Sequence, residues 1–204
     1  MARGPSRRKQ DRAAARWERR TYTLPSRWYR VLAYTVGYGG LKPERFLALV
    51  RELGVKVVAD VRRFPRSKLE FYAGERLRAS LSEVGVEYAW FGELGALGLA
   101  RSYRPGEDVV CTGSPTFRAY VHYLVSDPRA LAALARLGDA AAQGRTPLVL
   151  CRERKPEHCH RQFVADALVA MGVRVVHVVG AQRLEHRGSP CYSYIASRLP
   201  RAAR

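Results

Sequence analysis

The chain has 204 residues, of which 47% are hydrophobic, and this is enough for one globular domain flanked by shorter terminal segments. It contains no apolar run long enough to cross a membrane, and its basic first residues lack the apolar segment of a secretory signal. We therefore expect a cytoplasmic protein without a membrane partner. The four cysteines show no compact framework of the secreted type, which predicts reduced thiols.

The net charge of +18 is concentrated at the two ends of the chain. Residues 1–30 contribute +8, from ten basic and two acidic residues, and residues 181–204 contribute +4, from five and one. We predict a basic N-terminal extension and a basic C-terminal tail around a domain at residues 31–180. Such segments are typical of arms that contact phosphates, so the expected partner is nucleic acid or a phosphorylated small molecule. The alternative is that the charge serves solubility alone. The extension also carries aromatic residues suited to stacking on bases: Trp17, Tyr22, Trp28 and Tyr29.

The predicted elements alternate between strand and helix along the chain. A strand at residues 31–38 comes first. A helical stretch, a glycine and a β-rich run then recur four times, as in "LVRELGVKVVADV" and "ADALVAMGVRVVHVV". The predicted helices cover residues 43–53, 74–84, 116–125, 127–143 and 157–171. This alternation predicts a single three-layer α/β domain, with a mostly parallel sheet of about five strands and helices on both faces.

A parallel sheet brings the carboxyl ends of its strands to one edge, and ligands bind there, near the point where the strand order reverses. The second predicted strand ends in "ADVRRFPRS", which contains Asp60 and Arg62, and the fourth ends in "CRERKPEHCHR". His160 continues the apolar stripe of the helix that follows, so we expect its side chain to point inward. The fourth strand's loop contributes these candidates: Cys151, Glu153, Cys159, His160 and Arg161.

These residue types suit catalysis on an anionic substrate. The catalytic candidates are Cys151, Glu153, Cys159 and His160. Either thiol would be the nucleophile, the imidazole its base or orienting group, and the carboxylate a general acid or base. Arg62 and Arg161 would bind the anion, with Asp60 in support and with help from the free amides of the helix's first turn.

Structural roles compete with each of these assignments. Buried cysteines and histidines are often packing residues. The charged residues could instead form ion pairs that only hold loops, either Asp60 with Arg161 or Glu153 with Arg62. A disulfide-based redox switch through Cys151 and Cys159 is a further interpretation.

The motifs favour no cofactor. The stretch "GYGGLK" has Lys42 in the place of the third glycine of a dinucleotide fingerprint. Where a phosphatase loop starting at Cys151 would carry its arginine, the chain has Glu157. The order C-x7-C-H is not a familiar zinc pattern, so no metal is predicted, and a metal ion at these thiols stays a minor alternative.

Five segments, "TVGYGG", "VVADVRRFPRS", "GVEYAWFGELGALG", "LVLCRERKPEHCHR" and "VVHVV", together resemble the domain-of-unknown-function family 488 (DUF-488) over about residues 33–179. The resemblance implies an α/β domain with a shared site and no established reaction. Its "DVR", "C-x-E" and "CHR" elements point to the residues already selected at the sheet edge: Asp60, Arg62, Cys151, Glu153, Cys159, His160 and Arg161. Two functions follow as hypotheses, an enzyme acting on a nucleotide or nucleic acid, and a non-catalytic nucleic-acid-binding module that uses the basic tails.

Overall fold

A computed structural model describes residues 31–103 and 109–199, and the predicted N-terminal extension with its four aromatic residues lies outside this part of the chain. One sheet forms the middle layer, with six strands in the order β3-β2-β4-β1-β5-β6. The strands are β1 (Leu32–Gly37), β2 (Val57–Asp60), β3 (Glu87–Trp90), β4 (Pro147–Cys151), β5 (Arg174–Val179) and β6 (Gln182–Glu185). The first five pair in parallel, and β6 joins β5 antiparallel.

Helices cover both faces of this sheet, which confirms the predicted three-layer α/β class. Those in the described part of the chain are α1 (Pro43–Glu52), α2 (Gly74–Ser82), α3 (Leu99–Ser102), α4 (Pro115–Ser126), α5 (Pro128–Ala142), α6 (Arg161–Ala170) and α7 (Tyr192–Ala196). Short 3-10 helices occur at Glu70–Tyr72, Gly92–Leu94 and Pro156–His158. Helix α6 begins at Arg161, later than predicted, because Cys159 between this 3-10 turn and the helix has an extended backbone.

The two faces of the sheet carry separate apolar cores. On the face covered by α1 and α2, Phe46 and Leu77 share a core with Leu148 of β4. On the face covered by α4, α5 and α6, Leu134 and Phe163 share a second core with Val149 of β4. Strands β2 and β4 are buried at every position, which explains why their sequences are continuous apolar runs rather than alternating ones.

The C-terminal segment belongs to the domain up to residue 199, although the sequence predicted a tail from residue 181. Strand β6 extends the sheet, and helix α7 packs against α6. A disulfide joins Cys111, in the loop before α4, to Cys191, at the start of α7. The prediction of reduced thiols is therefore wrong for this pair, while Cys151 and Cys159 are free. The two bonded cysteines are 80 positions apart in the sequence, and no local sequence pattern predicts that they pair.

A buried chain of hydrogen bonds also fixes this segment. Asp166 of α6 accepts from Nε2 of His186 (2.9 Å). The Nδ1 atom of His186 lies 2.8 Å from Nε2 of His177, whose Nδ1 atom lies 2.7 Å from the hydroxyl of Thr35. Burial first, and then the nearby His186 and Arg161, hold the pKa of His177 well below its ordinary value. The network therefore favours a neutral His177 in the folded protein.

None of the helices in residues 31–103 and 109–199 combines the length and the hydropathy that a bilayer crossing requires. The cytoplasmic location stays a prediction.

We predict that removing the disulfide by Cys111→Ser with Cys191→Ser lowers the free energy of unfolding by about 2–4 kcal/mol, because the bond closes a long loop in the unfolded chain. Urea unfolding of the oxidised protein and the double variant measures the difference. A reducing agent should destabilise the natural protein and leave the double variant unchanged. Equal sensitivity of both proteins would mean that the bond does not form in solution.

We predict that His177 contributes a loss of stability as the pH drops below about 6.5, where the histidine of the unfolded chain takes up a proton and the folded His177 does not. Between pH 7 and pH 5.5 this group alone should cost about 1 kcal/mol. The variant His177→Gln should lose correspondingly less over the same interval in urea unfolding. His160, whose pKa is raised, titrates with the opposite sign but is present in both proteins. An identical pH dependence in the two proteins would contradict the assignment.

Candidate functional site

Three loops meet at the carboxyl edge of the sheet because β4 lies between β1 and β2. The strand pairing continues beyond the strand ends. The amide of Gly39 donates to the carbonyl of Arg152 (2.9 Å), and the amide of Val61 donates to the carbonyl of Leu150 (3.1 Å). The helices that follow β1 and β4 lie on opposite faces of the sheet. The loops therefore form the crevice where open α/β sheets bind ligands.

The glycines of the β1 loop allow this close approach. A Cβ atom on Gly37 would overlap the backbone carbonyl of Glu153, and one on Gly39 would lie 3.0 Å from the carbonyl of Arg152. Gly40 has a φ of 77° in the turn that the amide of Leu41 closes on the carbonyl of Tyr38 (2.8 Å). The glycines thus serve backbone packing between two loops, whether or not a ligand binds there.

Asp60 and Arg62 form a buried bidentate ion pair on the α1/α2 face. Nε of Arg62 donates to Oδ1 of Asp60 (2.8 Å), and Nη2 donates to Oδ2 (2.5 Å). The hydroxyl of Tyr88 donates to Oδ2 (2.8 Å), and Nη1 of Arg62 donates to the hydroxyl of Tyr38 (3.2 Å). Burial disfavours the charged form of Arg62, but the hydrogen bonds to Asp60 and the charge of Asp60 outweigh this effect. The pKa of Arg62 is therefore raised.

These contacts differ from the ion pairs considered from the sequence. Asp60 pairs with Arg62, two positions away, and not with Arg161. The side chain of Glu153 is exposed and forms no ion pair with Arg62. Anion binding by Arg62 stays a prediction, and its guanidinium is already paired with a carboxylate and 6% exposed.

The two free cysteines and His160 form a second cluster, on the face covered by α4, α5 and α6. Nε2 of His160 lies 3.0 Å from the carbonyl of Val61. Because a carbonyl only accepts, Nε2 carries the hydrogen, and the lone pair of Nδ1 in the neutral ring is turned toward the thiols. Nδ1 lies 3.8 Å from the sulfur of Cys151 and 3.8 Å from that of Cys159. The inward orientation predicted for His160 is confirmed.

The electrostatic environment of this cluster shifts the pKa values of the two thiols in opposite directions. Burial raises the pKa of the Cys159 thiol, but the hydrogen bond from Cys151 and the charge of His160 outweigh burial and place the pKa well below its ordinary value. The hydrogen bond to Cys159, followed by burial, raises the pKa of Cys151. Burial lowers the pKa of His160, and the neighbouring Cys159 overcomes this and raises it. Cys159 is therefore the thiol that more readily becomes a thiolate.

Arg161 holds the backbone of the β4 loop. Its side chain is fully buried, and its two terminal nitrogens donate to the carbonyls of Glu153 and of Arg154, the latter at 2.8 Å. Within the described part of the chain it has no acidic partner. Anion binding by Arg161 stays a prediction that these contacts do not favour.

The structure brings the predicted residues to one edge but divides them between two faces. The carbonyl of Val61 connects the β2 loop to His160, whereas the side chains of Asp60 and Arg62 point to the opposite face. Arg62, Cys151 and His160 therefore do not converge on one pocket. The catalytic roles proposed for the thiols, His160 and Glu153 stay predictions.

Two adjacent depressions in the crevice are lined by cations that the sequence analysis did not select. One has a volume of about 520 Å³, and its lining includes Arg66, Lys68 and Arg152. The other has a volume of about 220 Å³, and its lining includes Arg45 and Arg154. They share Gly39 and Gly40, and no acidic residue lines either. The basic residues of the loops "RRFPRSK" and "CRERK" were visible in the sequence. The sequence does not reveal, however, which of these cations lack an acidic partner.

Exposed apolar side chains accompany these cations. Phe64 in the β2 loop is 55% exposed, and Trp90 at the end of β3 is 51% exposed. The indole of Trp90 donates to the carbonyl of Arg62 (2.9 Å), which holds the ring against the β2 loop. Large exposed aromatic rings next to cations are a feature of surfaces that stack on nucleic-acid bases.

We predict that Asp60→Ala lowers the free energy of unfolding by about 3–5 kcal/mol, because it leaves the buried charge of Arg62 without a partner. The double variant with Arg62→Leu should lose less than the sum of the two single variants. Tyr88→Phe, which removes only one hydrogen bond from Asp60, serves as the control and should cost about 1 kcal/mol. Urea unfolding measures all four variants, and additive losses would show that the pair is not coupled.

Comparison with known proteins identifies one family. The model of the family described as domain of unknown function DUF488 matches residues 42–168, which is more than half of the chain. The chain therefore belongs to this family, as its motifs indicated. No curated protein and no solved structure matches the chain significantly.

Proposed function

We propose that this member of the DUF488 family binds the phosphate groups of a nucleotide or of single-stranded nucleic acid in the crevice at the carboxyl edge of its sheet. The observation that carries the proposal is the pair of adjoining depressions lined by five cations and no acid. Arginine and lysine in such a crevice supply both the charge and the hydrogen-bond donors that phosphate oxygens accept.

The ionic state of the lining supports this proposal. Among the described residues, Arg66, Lys68, Arg152 and Arg154 are exposed and form no ion pair. By contrast, Arg62 is paired with Asp60, Arg161 donates to backbone carbonyls and Arg45 lies 3.5 Å from Glu52. Cations that meet no carboxylate of their own chain keep their charge available for an external anion.

The neighbouring aromatic rings favour a ligand with bases. Phe64 lies in the same loop as Arg66 and Lys68, the Trp90 indole donates to the carbonyl of Arg62 in that loop, and Leu69 lines the larger depression with 52% of its surface exposed. Phosphates would bind the cations while bases stack on the exposed rings, which is how proteins bind single strands with little sequence preference. The basic N-terminal extension predicted from the sequence would add phosphate contacts, since residues 1–30 carry +8.

Whether the bound ligand also reacts is a second proposal. The observation that favours an enzyme is the pair of free thiols beside His160, whose Nδ1 lone pair is turned toward both sulfurs. Their near-complete burial favours the binding module instead, because a nucleophile must reach its substrate.

We predict that the full chain binds a single-stranded oligonucleotide and that each of Arg66→Gln, Lys68→Gln and Arg152→Gln weakens binding about 5–10-fold, as expected for the loss of one phosphate contact. Fluorescence anisotropy at several salt concentrations measures the affinity, and each variant should also show a shallower salt dependence.

Arg51→Gln is the matched control for this series. Arg51 is exposed, carries the same charge and lies at the far end of α1, away from the crevice. It should leave the affinity within about twofold of the natural value, because charge far from a ligand is screened by salt. Equal weakening by Arg51→Gln and Arg152→Gln, or binding that ignores salt, would remove the crevice as the binding site.

A further inference from the structure

We infer that Cys151, Cys159 and His160 form a binding site for one Zn²⁺ ion. The donor atoms, two sulfurs and one imidazole nitrogen, all lie within 4.8 Å of one another. Thiolate and imidazole are the ligands that zinc prefers in proteins. The spacing of these residues in the sequence resembles no common zinc motif, which is why the motif search predicted no metal.

The separations of the donor atoms suit a tetrahedral ion. With zinc–sulfur and zinc–nitrogen bonds of ordinary length, the sulfur and nitrogen atoms around one ion lie about 3.6 Å apart. Both sulfurs lie 3.8 Å from Nδ1 of His160. The two sulfur–nitrogen separations therefore match those of one ion bound at ordinary zinc–sulfur and zinc–nitrogen distances.

The orientation of His160 is also that of a metal ligand. Its Nε2–H is held by the carbonyl of Val61 at 3.0 Å, which leaves Nδ1 as the free donor. Histidines that bind metals commonly give their other ring N–H to a carbonyl or carboxylate, which fixes the tautomer and the ring plane. The rings of His160 and Tyr120 pack in a T-shaped arrangement, with centroids 5.2 Å apart, so a second contact holds the imidazole.

The three ligands lie at the end of a strand and at the start of a helix. Cys151 is the last residue of β4, and Cys159 and His160 immediately precede α6. The two sulfurs are close together yet unbonded, whereas the chain's other two cysteines form a disulfide. A zinc ion would account for two adjacent thiols that remain unpaired, because it binds both as thiolates.

Burial and charge favour an ion over a substrate. The exposed fractions are 5% for Cys151, 2% for Cys159 and 9% for His160, so a bulky electrophile has little access to the sulfurs. Two thiolates neutralise the charge of Zn²⁺, which lowers the cost of burying it. Three protein ligands leave the fourth tetrahedral position to a solvent molecule.

The test begins with the full chain purified without chelators. Elemental analysis should find about one zinc ion per chain. After chelation, titration with Co²⁺ should produce the thiolate-to-cobalt charge-transfer absorption and the intense visible bands of a tetrahedral site. A cobalt complex without the thiolate absorption, or no spectrum at excess Co²⁺, would overturn the inference. These measurements need no substrate and are independent of the oligonucleotide binding proposed above.

Ligand variants localise the ion. Cys159→Ser and His160→Gln should each weaken Zn²⁺ binding by about 100-fold or more, since even the loss of a residue that only orients a ligand costs about 10–100-fold. The double variant Cys111→Ser with Cys191→Ser removes the two sulfurs that lie outside the proposed site, serves as the control and should keep the ion. If the ligand variants do not fold, the cobalt spectrum of the natural chain decides alone. Unchanged zinc content in folded Cys159→Ser protein would refute the site.

Discussion

The position of β4 between β1 and β2 is the constraint on which the candidate site depends. Hydrogen bonds of the parallel ladders continue past the strand ends, from Gly39 to Arg152 and from Val61 to Leu150. The three loops are therefore held together by backbone contacts that do not require particular side chains. The exception is Gly37, where the approach of the Glu153 carbonyl leaves no room for a Cβ atom. Side chains that come from distant parts of the sequence are then carried to one edge.

Side chains alternate between the two faces along a strand, which explains why this edge of the sheet has two separate clusters of polar side chains. Asp60 and Arg62 point to the face of α1 and α2, while Val61 between them belongs to the opposite core. The carbonyl of Val61 nevertheless reaches His160, which lies 99 positions further along the chain. The ion pair stabilises one side of the β2 loop, and the backbone of the same loop orients the imidazole on the other. Damage to either group is expected to disturb the other through this short segment.

The arginines of this protein differ in what their guanidinium groups contact. The buried arginines Arg62 and Arg161 are occupied by a carboxylate and by carbonyls, respectively. Four of the five cations of the crevice have no such partner in the described part of the chain, namely Arg66, Lys68, Arg152 and Arg154, whereas Arg45 lies 3.5 Å from Glu52. A buried guanidinium depends on partners within the protein because it has lost its water, although the Nε of Arg161 has none among the described residues, whereas an exposed guanidinium is solvated until a ligand replaces the water. The same residue type thus has structural roles inside and a proposed binding role in the crevice.

The sequence by itself determined the class of fold, five helices and five strands within a few residues, and the edge at which Asp60 and the Cys151–Arg161 segment would meet. These follow from apolar periodicity and from the geometry of parallel sheets, which are local or general properties, while the motifs indicated the family. Only the tertiary structure decided the partners. It paired Asp60 with Arg62, bonded Cys111 to Cys191, built β6 and α7 from a segment that reads as a basic tail, and turned Nδ1 of His160 toward two thiols. Such pairings depend on which face a side chain occupies and on contacts between residues far apart in the chain, and no pattern within a short window of sequence carries that information.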